Sequence, residues 1–229
     1  MTRNLITLLA AIIVCSVGAG AQQPAARPLS PAGATQAQVL GRWVKGDRPS
    51  FAVGQERYMD GKWLEVTYGR PSLRGRDVFG SGASYGKALL DLPLGSWGAP
   101  PVWRAGANVT TRLNTEATLT FGDKKVPAGE YSVFIDAKSP SDWTLIISSW
   151  AAQPKMDQND KTALWGAYGY TPDKDVARVP MKVESLPYSV EQLTWAFQDV
   201  TTDSGRIAID RKSTRLNSSH VSESRMPSS

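Results

Sequence analysis

The alternation of apolar and polar residues constrains this chain more than any other feature. In KWLEVTYG (62–69), Leu64, Val66 and Tyr68 fall on one side, and Trp63, Glu65 and Thr67 on the other. A period of two belongs to a strand with one buried face. EATLTFG repeats the pattern, with Leu119 and Phe121 set against Thr118 and Thr120. YSVFIDA groups Tyr131, Val133 and Ile135. WTLIISS is a short β-branched run that predicts a buried strand. ARVPMKVES and EQLTWAFQ predict two more, and RIAI begins a last one.

Turn chemistry separates these runs. In VPAGEY, Pro127 presets φ at the first corner and Gly129 closes a type I turn. GDKK (122–125) reads as a hairpin connection, and KSPSDW divides two strands. No segment carries an amphipathic helix of several turns, although DQNDKTALWGAYGY leaves room for one short helical turn before Gly166. Twenty glycines and 15 prolines fit many short strands and many turns. Together these predict one all-β domain over residues 41–209, an antiparallel β-sandwich or jelly-roll-like double sheet. A chain of 229 residues suits one such core.

Both ends read differently. Residues 1–21 carry Arg3, an apolar run from Leu5 to Val17, and the small residues Ala19, Gly20 and Ala21. That is the pattern of a cleaved secretory signal, which predicts a periplasmic or secreted protein with no stable membrane insertion. The apolar run falls short of the roughly 20 residues a membrane-spanning helix needs. A lipoprotein would use Cys15, but bulky Val14 precedes it. Residues 22–40, rich in Ala, Pro and Gln, predict a flexible lead-in.

Residues 210–229 resemble a translated sequencing-library adapter. Asp210 to His220 and Ser224 to Ser229 back-translate into its two halves, with a barcode-sized gap between. The tail is thus expected to be non-native. Setting aside five basic and two acidic residues at the two ends leaves 21 basic and 19 acidic. A net charge of +2 offers a nucleic acid no electrostatic footprint. His220 and Cys15 are the one histidine and the one cysteine, and both lie in these end segments. Residues 22–209 therefore hold no Cys/His zinc site, no thiol nucleophile and no histidine triad. No cofactor is implied.

VTYGRPSLRGRDVFG, VWRAGANVTTRL, VPAGEYSVFI, WTLIIS and WGAYGYTPDKDVARVPMKV together resemble a secreted bacterial family, domain-of-unknown-function family 2911. The likeness spans residues 63–209 and is densest over 68–80 and 103–108. It implies an all-β domain exported through the envelope. It implies no activity, catalytic residue or cofactor. Two departures stand out: residues 88–101 are longer than the usual link, and the last strand is expected to stop at Ile209. A truncated strand would leave an open, destabilised sheet edge.

The chemistry that remains is cationic. Arg70, Arg74 and Arg76 share one loop, and Arg104 follows Trp103 in another, close to Asn108. Guanidinium groups present forked donors to carboxylate or phosphate. If the loops meet, these residues form an anion pocket walled by Tyr68, Trp103 and Tyr85. The alternative is that the arginines tie loops to carbonyls and to Asp77. Trp97 and Trp165 lie in loops and are candidates for stacking on a glycan; Trp143 and Trp195 are expected in the core. Asp77, Glu130, Asp136, Asp173 and Asp175 are the carboxylates open to acid–base work, and Asp173 with Asp175 to calcium. The expected function is a non-enzymatic module that binds a small anionic or polar ligand. An envelope glycan hydrolase using Asp77 paired with another carboxylate, and a structural envelope protein, are the alternatives.

Overall fold

The computed structural model describes residues 30–45, 56–218 and 221–222. The signal-like segment, residues 22–29 of the lead-in, His220 and the far tail lie outside the described residues. In chain order the strands are β1 (Ala32–Val39), β2 (Arg42–Lys45), β3 (Glu56–Met59), β4 (Lys62–Gly69), β5 (Thr111–Thr115), β6 (Leu119–Phe121) and β7 (Lys124–Val126). Then follow β8 (Gly129–Ser139), β9 (Asp142–Ser148), β10 (Ala151–Ala152), β11 (Ala163–Leu164), β12 (Asp175–Gln198), β13 (Ser204–Ser218) and β14 (Val221–Ser222). Helix among the described residues is limited to single 3-10 turns, at Gly82–Ser84, Lys87–Leu89, Gly95–Trp97 and Pro172–Lys174. The helical turn expected before Gly166 is absent; β11 and an irregular loop occupy that stretch.

The all-β antiparallel domain is present, and its two layers belong to one sheet. Ten strands run in the order β1-β4-β5-β8-β9-β12-β13-β14-β6-β7. β12 shows how one sheet makes both layers. It is 24 residues long, with its first part on β9 and much of its length on β13. Register shifts between Ser185 and Val190 and between Val190 and Thr194 let it bend. Past them it meets the loop after β4. The Leu73 N–H donates to the Glu191 carbonyl at 2.9 Å, and the Leu193 N–H donates to the Pro71 carbonyl at 3.1 Å. The sheet therefore curls until it is nearly closed into a barrel.

The predicted alternation is visible in the packing. Leu64, Val66, Tyr68, Val133 and Ile135 all point into the main core with Trp143 and Trp195. β8 and β9 are buried on both faces. Phe134 and Ile146 project outward, where Val102, Trp150, Leu164 and Tyr170 cover them. This is why WTLIIS does not alternate. Truncating a fully buried side chain of this kind, such as Phe134 to Ala, costs about 3–5 kcal/mol.

Two expectations are corrected. Residues 32–39, placed in the flexible lead-in, form β1, paired antiparallel from Ala32 opposite Gly69 to Val39 opposite Lys62. Their small and polar side chains carry little strand signal; the unpaired edge of β4 supplies the order. The last strand also does not stop at Ile209. β13 runs to Ser218, with residues 214–218 paired to Ser185 through Met181 and Leu216 buried. The backbone of residues 210–218 takes up ladder positions on β12 whatever the origin of its side chains.

Candidate functional site

Two loops cross at one end of the barrel because glycine lets them. A Cβ on Gly69 would sit 2.0 Å from the Ala107 carbonyl oxygen, and one on Gly106 would sit 2.7 Å from Thr111 Oγ1. The Tyr-Gly-Arg and Ala-Gly-Ala-Asn stretches therefore touch backbone to backbone. Ala105 and Asn108 hold left-handed φ values of 51° and 65°, and Arg74 in the neighbouring loop holds 51°. Non-glycine residues in this region store strain, which tends to gather where a site is shaped.

Beside this crossing lies an open cleft of about 760 Å³. Arg74, Arg76, Trp103, Arg104 and Asn108 all line it. Five of the seven proposed binding residues thus converge. Trp103 is buried at its floor, bridged to β8 by paired backbone hydrogen bonds with Ile135, each 2.8 Å. Arg74 and Asn108 stand exposed at the mouth. The Arg74 N–H donates to Glu191 Oε1 at 2.9 Å, which anchors its loop to β12.

Arg70 and Tyr68 are not wall residues. Arg70 leans the other way, with Nε 3.4 Å from the Leu193 carbonyl and Nη2 3.4 Å from Thr194 Oγ1. Its aliphatic stem lies over Gly33, where a Cβ would be 2.4 Å from Arg70 Cδ. Tyr68 is buried in the core; its hydroxyl accepts from the Trp195 N–H at 3.0 Å. Tyr85 stands behind the cleft floor, its hydroxyl accepting from Trp143 Nε1 at 3.0 Å. Strand alternation sends Tyr68 inward, and β4 has ended before Arg70, so nothing in the local pattern fixes where that side chain turns.

The cleft arginines also serve the scaffold. Arg76 Nε donates to the Leu73 carbonyl at 3.0 Å, and its Nη2 to the Ser72 carbonyl at 2.9 Å. Arg104 is held by Asp91 at two points, and its Nη1 donates to the Asn108 carbonyl. Asp91 is the one acid among the described residues that line the cleft. Sequence reasoning missed it because it lies in the long link, 13 residues before its partner. It also missed Lys87 and Arg211, which line the same cleft, whereas Trp165, a loop tryptophan singled out for stacking, lines it as well. Lys87 is exposed and, among the described residues, has no carboxylate partner. Arg211 is buried, donates to the Pro71 carbonyl, and is pushed down to about 10 by burial and then by neighbouring Arg76. Among the described residues, five basic groups and one acid line the cleft, so its lining carries a net positive charge.

The carboxylates give no acid–base pair in this cleft. Asp77 bonds Lys212 Nζ at 3.0 Å and faces the Gly80 and Phe79 N–H groups. These partners hold its carboxyl below the ordinary range, the reverse of what a general acid requires. Asp175 is taken by Arg178 at 2.9 Å and by the Tyr170 hydroxyl at 2.7 Å. No group of three metal-ligating side chains occurs among the described residues. Trp97 stacks on Tyr168 at 5.5 Å, and Trp165 faces the cleft.

A family model described as a protein of unknown function, DUF2911, matches residues 50–218. The chain belongs to the DUF2911 family. The match takes in every strand from β3 to β13, and both loops that make the cleft. The likeness read from the sequence, over residues 63–209, falls inside it. No curated protein and no solved structure matches this DUF2911 chain.

Proposed function

We propose that this DUF2911 domain is a non-enzymatic, exported module that captures a small anionic or polar ligand in the cationic cleft. The observation that carries this reading is the convergence of Arg74, Lys87 and Arg104 around one open cavity with a tryptophan floor. Forked and ammonium donors on a concave, partly apolar surface suit a carboxylate, a phosphate or an acidic sugar. Arg104 is paired with Asp91 and shapes the cleft, and the exposed Lys87 makes the contact, with Arg74 beside it. Export rests on the signal-like residues 1–21, which place the ligand in the periplasm or outside the cell. Neither nucleic acid nor a bilayer is the partner on this reading.

Thermal denaturation in low salt tests it. Phosphate, citrate and glucuronate are added in turn to the full chain. A ligand at a hundred times its Kd stabilises a fold by about 2.7 kcal/mol, an easily measured rise in Tm. Arg74→Ala and Lys87→Ala change exposed side chains and are expected to fold normally and lose that rise. Equal rises in wild type and both variants would refute the cleft as the site. Export is checked by fractionating cells and sequencing the mature N-terminus, with Gln22 expected first.

A further inference from the structure

We propose that the ligand of this cleft is an anionic amphiphile, a single carboxylate or phosphate group carrying a short aliphatic chain. The inference rests on the anion-binding reading above and supplies the other half of the ligand. The cleft has two unlike walls. One is the loop that carries Arg74 and Arg76, tied to β12 through Leu73 and Leu193. The other is the segment Leu-Asp-Leu-Pro-Leu, residues 90–94, whose three leucines all line the cavity.

The leucine wall is held in place by polar contacts. The Tyr168 hydroxyl donates to the Leu92 carbonyl at 2.7 Å, and Asp91 is fixed to Arg104. These ties leave Leu92 82% exposed, the highest value among the exposed large hydrophobic residues described. Scattered surface leucines need no explanation, but this one shares a concave lining with Leu90, Leu94 and the guanidinium groups. Lys87 opens the 3-10 turn that leads into this wall, which places an ammonium beside the apolar surface. An inorganic anion would engage the cations and leave the leucines wet. A wholly apolar guest would cover the leucines and leave Lys87 without a counter-charge. A cavity of about 760 Å³ has room for both parts of an amphiphile.

Calorimetric titration of the full chain separates the possibilities. The probes are inorganic phosphate, then butyl, hexyl and octyl phosphate below their micelle concentrations, with hexanol as the uncharged control. The expected result is weak phosphate binding that tightens along the series, by up to about fourfold for each methylene buried. Leu92→Ser flattens the series and keeps phosphate affinity; Lys87→Ala weakens every member alike. Equal affinity for phosphate and octyl phosphate overturns the amphiphile and leaves the anion reading standing. Hexanol binding as tightly as hexyl phosphate overturns it as simple apolar adsorption. Binding by none of the phosphates brings down the anion reading and this inference together.

Discussion

The Asp91 carboxylate holds the Arg104 guanidinium at two points, Oδ2 to Nε at 2.7 Å and Oδ1 to Nη2 at 2.5 Å. The pair staples the long 88–101 link to the loop that follows Trp103. Side-chain exposure is 10% for Arg104 and 24% for Asp91, so water screens the pair only partly. Removing Asp91 leaves a buried cation with no counter-charge. Breaking a fully buried pair costs about 3–5 kcal/mol. Discounting for the exposure of Asp91, Asp91→Ala is expected to lower stability by about 2–3 kcal/mol in urea unfolding. Arg42 and Asp60, exposed at 70% and 64%, form the control: Asp60→Ala is expected to cost no more than about 1 kcal/mol.

Backbone crossing at Gly69 gives a second expectation. A methyl at Gly69 meets the Ala107 carbonyl, and neither backbone can yield without moving the cleft. Gly69→Ala is expected to destabilise the domain severely and abolish ligand-induced stabilisation. Gly75 has open space around its missing Cβ but a φ of 71°. Gly75→Ala therefore costs only the left-handed penalty, about 1 kcal/mol, and spares binding. Comparing melting curves of the two variants checks both statements.

Arg211 is a buried cation whose proton is held less tightly than usual, at about 10. The folded state therefore disfavours its charge at neutral pH, and that penalty is relieved only as pH rises past 10. Arg211→Met keeps an unbranched apolar stem and removes the charge. Pro71 still accepts from Leu193. The variant is expected to melt at a higher temperature than wild type at pH 7. A lower melting temperature would show that the Pro71 contact outweighs the cost of burial.

Alkaline titration reads the tyrosines. Burial raises Tyr85, Tyr131, Tyr168 and Tyr170 above the ordinary 10.0, and Asp175 raises Tyr170 further. Above pH 10 the folded protein keeps protons that the unfolded chain has released. These four groups stabilise the fold fully below pH 10, and their contribution falls as pH climbs. Tyrosinate absorbance of the native protein is expected to lag behind that of the protein in guanidinium, and Tyr170→Phe is expected to narrow the gap. Coincident titration curves would contradict the burial of these rings.

Much of the barrel was legible from period two alone. Leu64, Val66 and Tyr68 faced inward as the alternation required, as did Tyr131, Val133 and Ile135. Trp143 and Trp195 reached the core. What local pattern does not encode is closure. The bends in β12 depend on register shifts that only pairing with β13 defines. β1 was missed because Ala, Gly, Thr and Gln signal little by themselves and gain order from β4. In the site, spacing brought Arg74, Arg76, Trp103, Arg104 and Asn108 to one cleft. It did not separate them from Arg70, because a loop arginine has no periodicity to say where it turns. Asp91 lay in the long link and Lys87 just before it, where neither strand period nor turn chemistry singled them out.

The central claim is that small anions enter the cleft and nowhere else. The indole N–H resonances of the protein report this directly when hexyl phosphate is titrated into ¹⁵N-labelled full chain. Trp103 at the floor and Trp165 on the wall are expected to shift together with one binding curve. Trp43 and Trp63, exposed at 62% and 46% and outside the cleft lining, are expected to stay still. Movement of Trp43 or Trp63 with Trp103 and Trp165 unmoved would contradict the account.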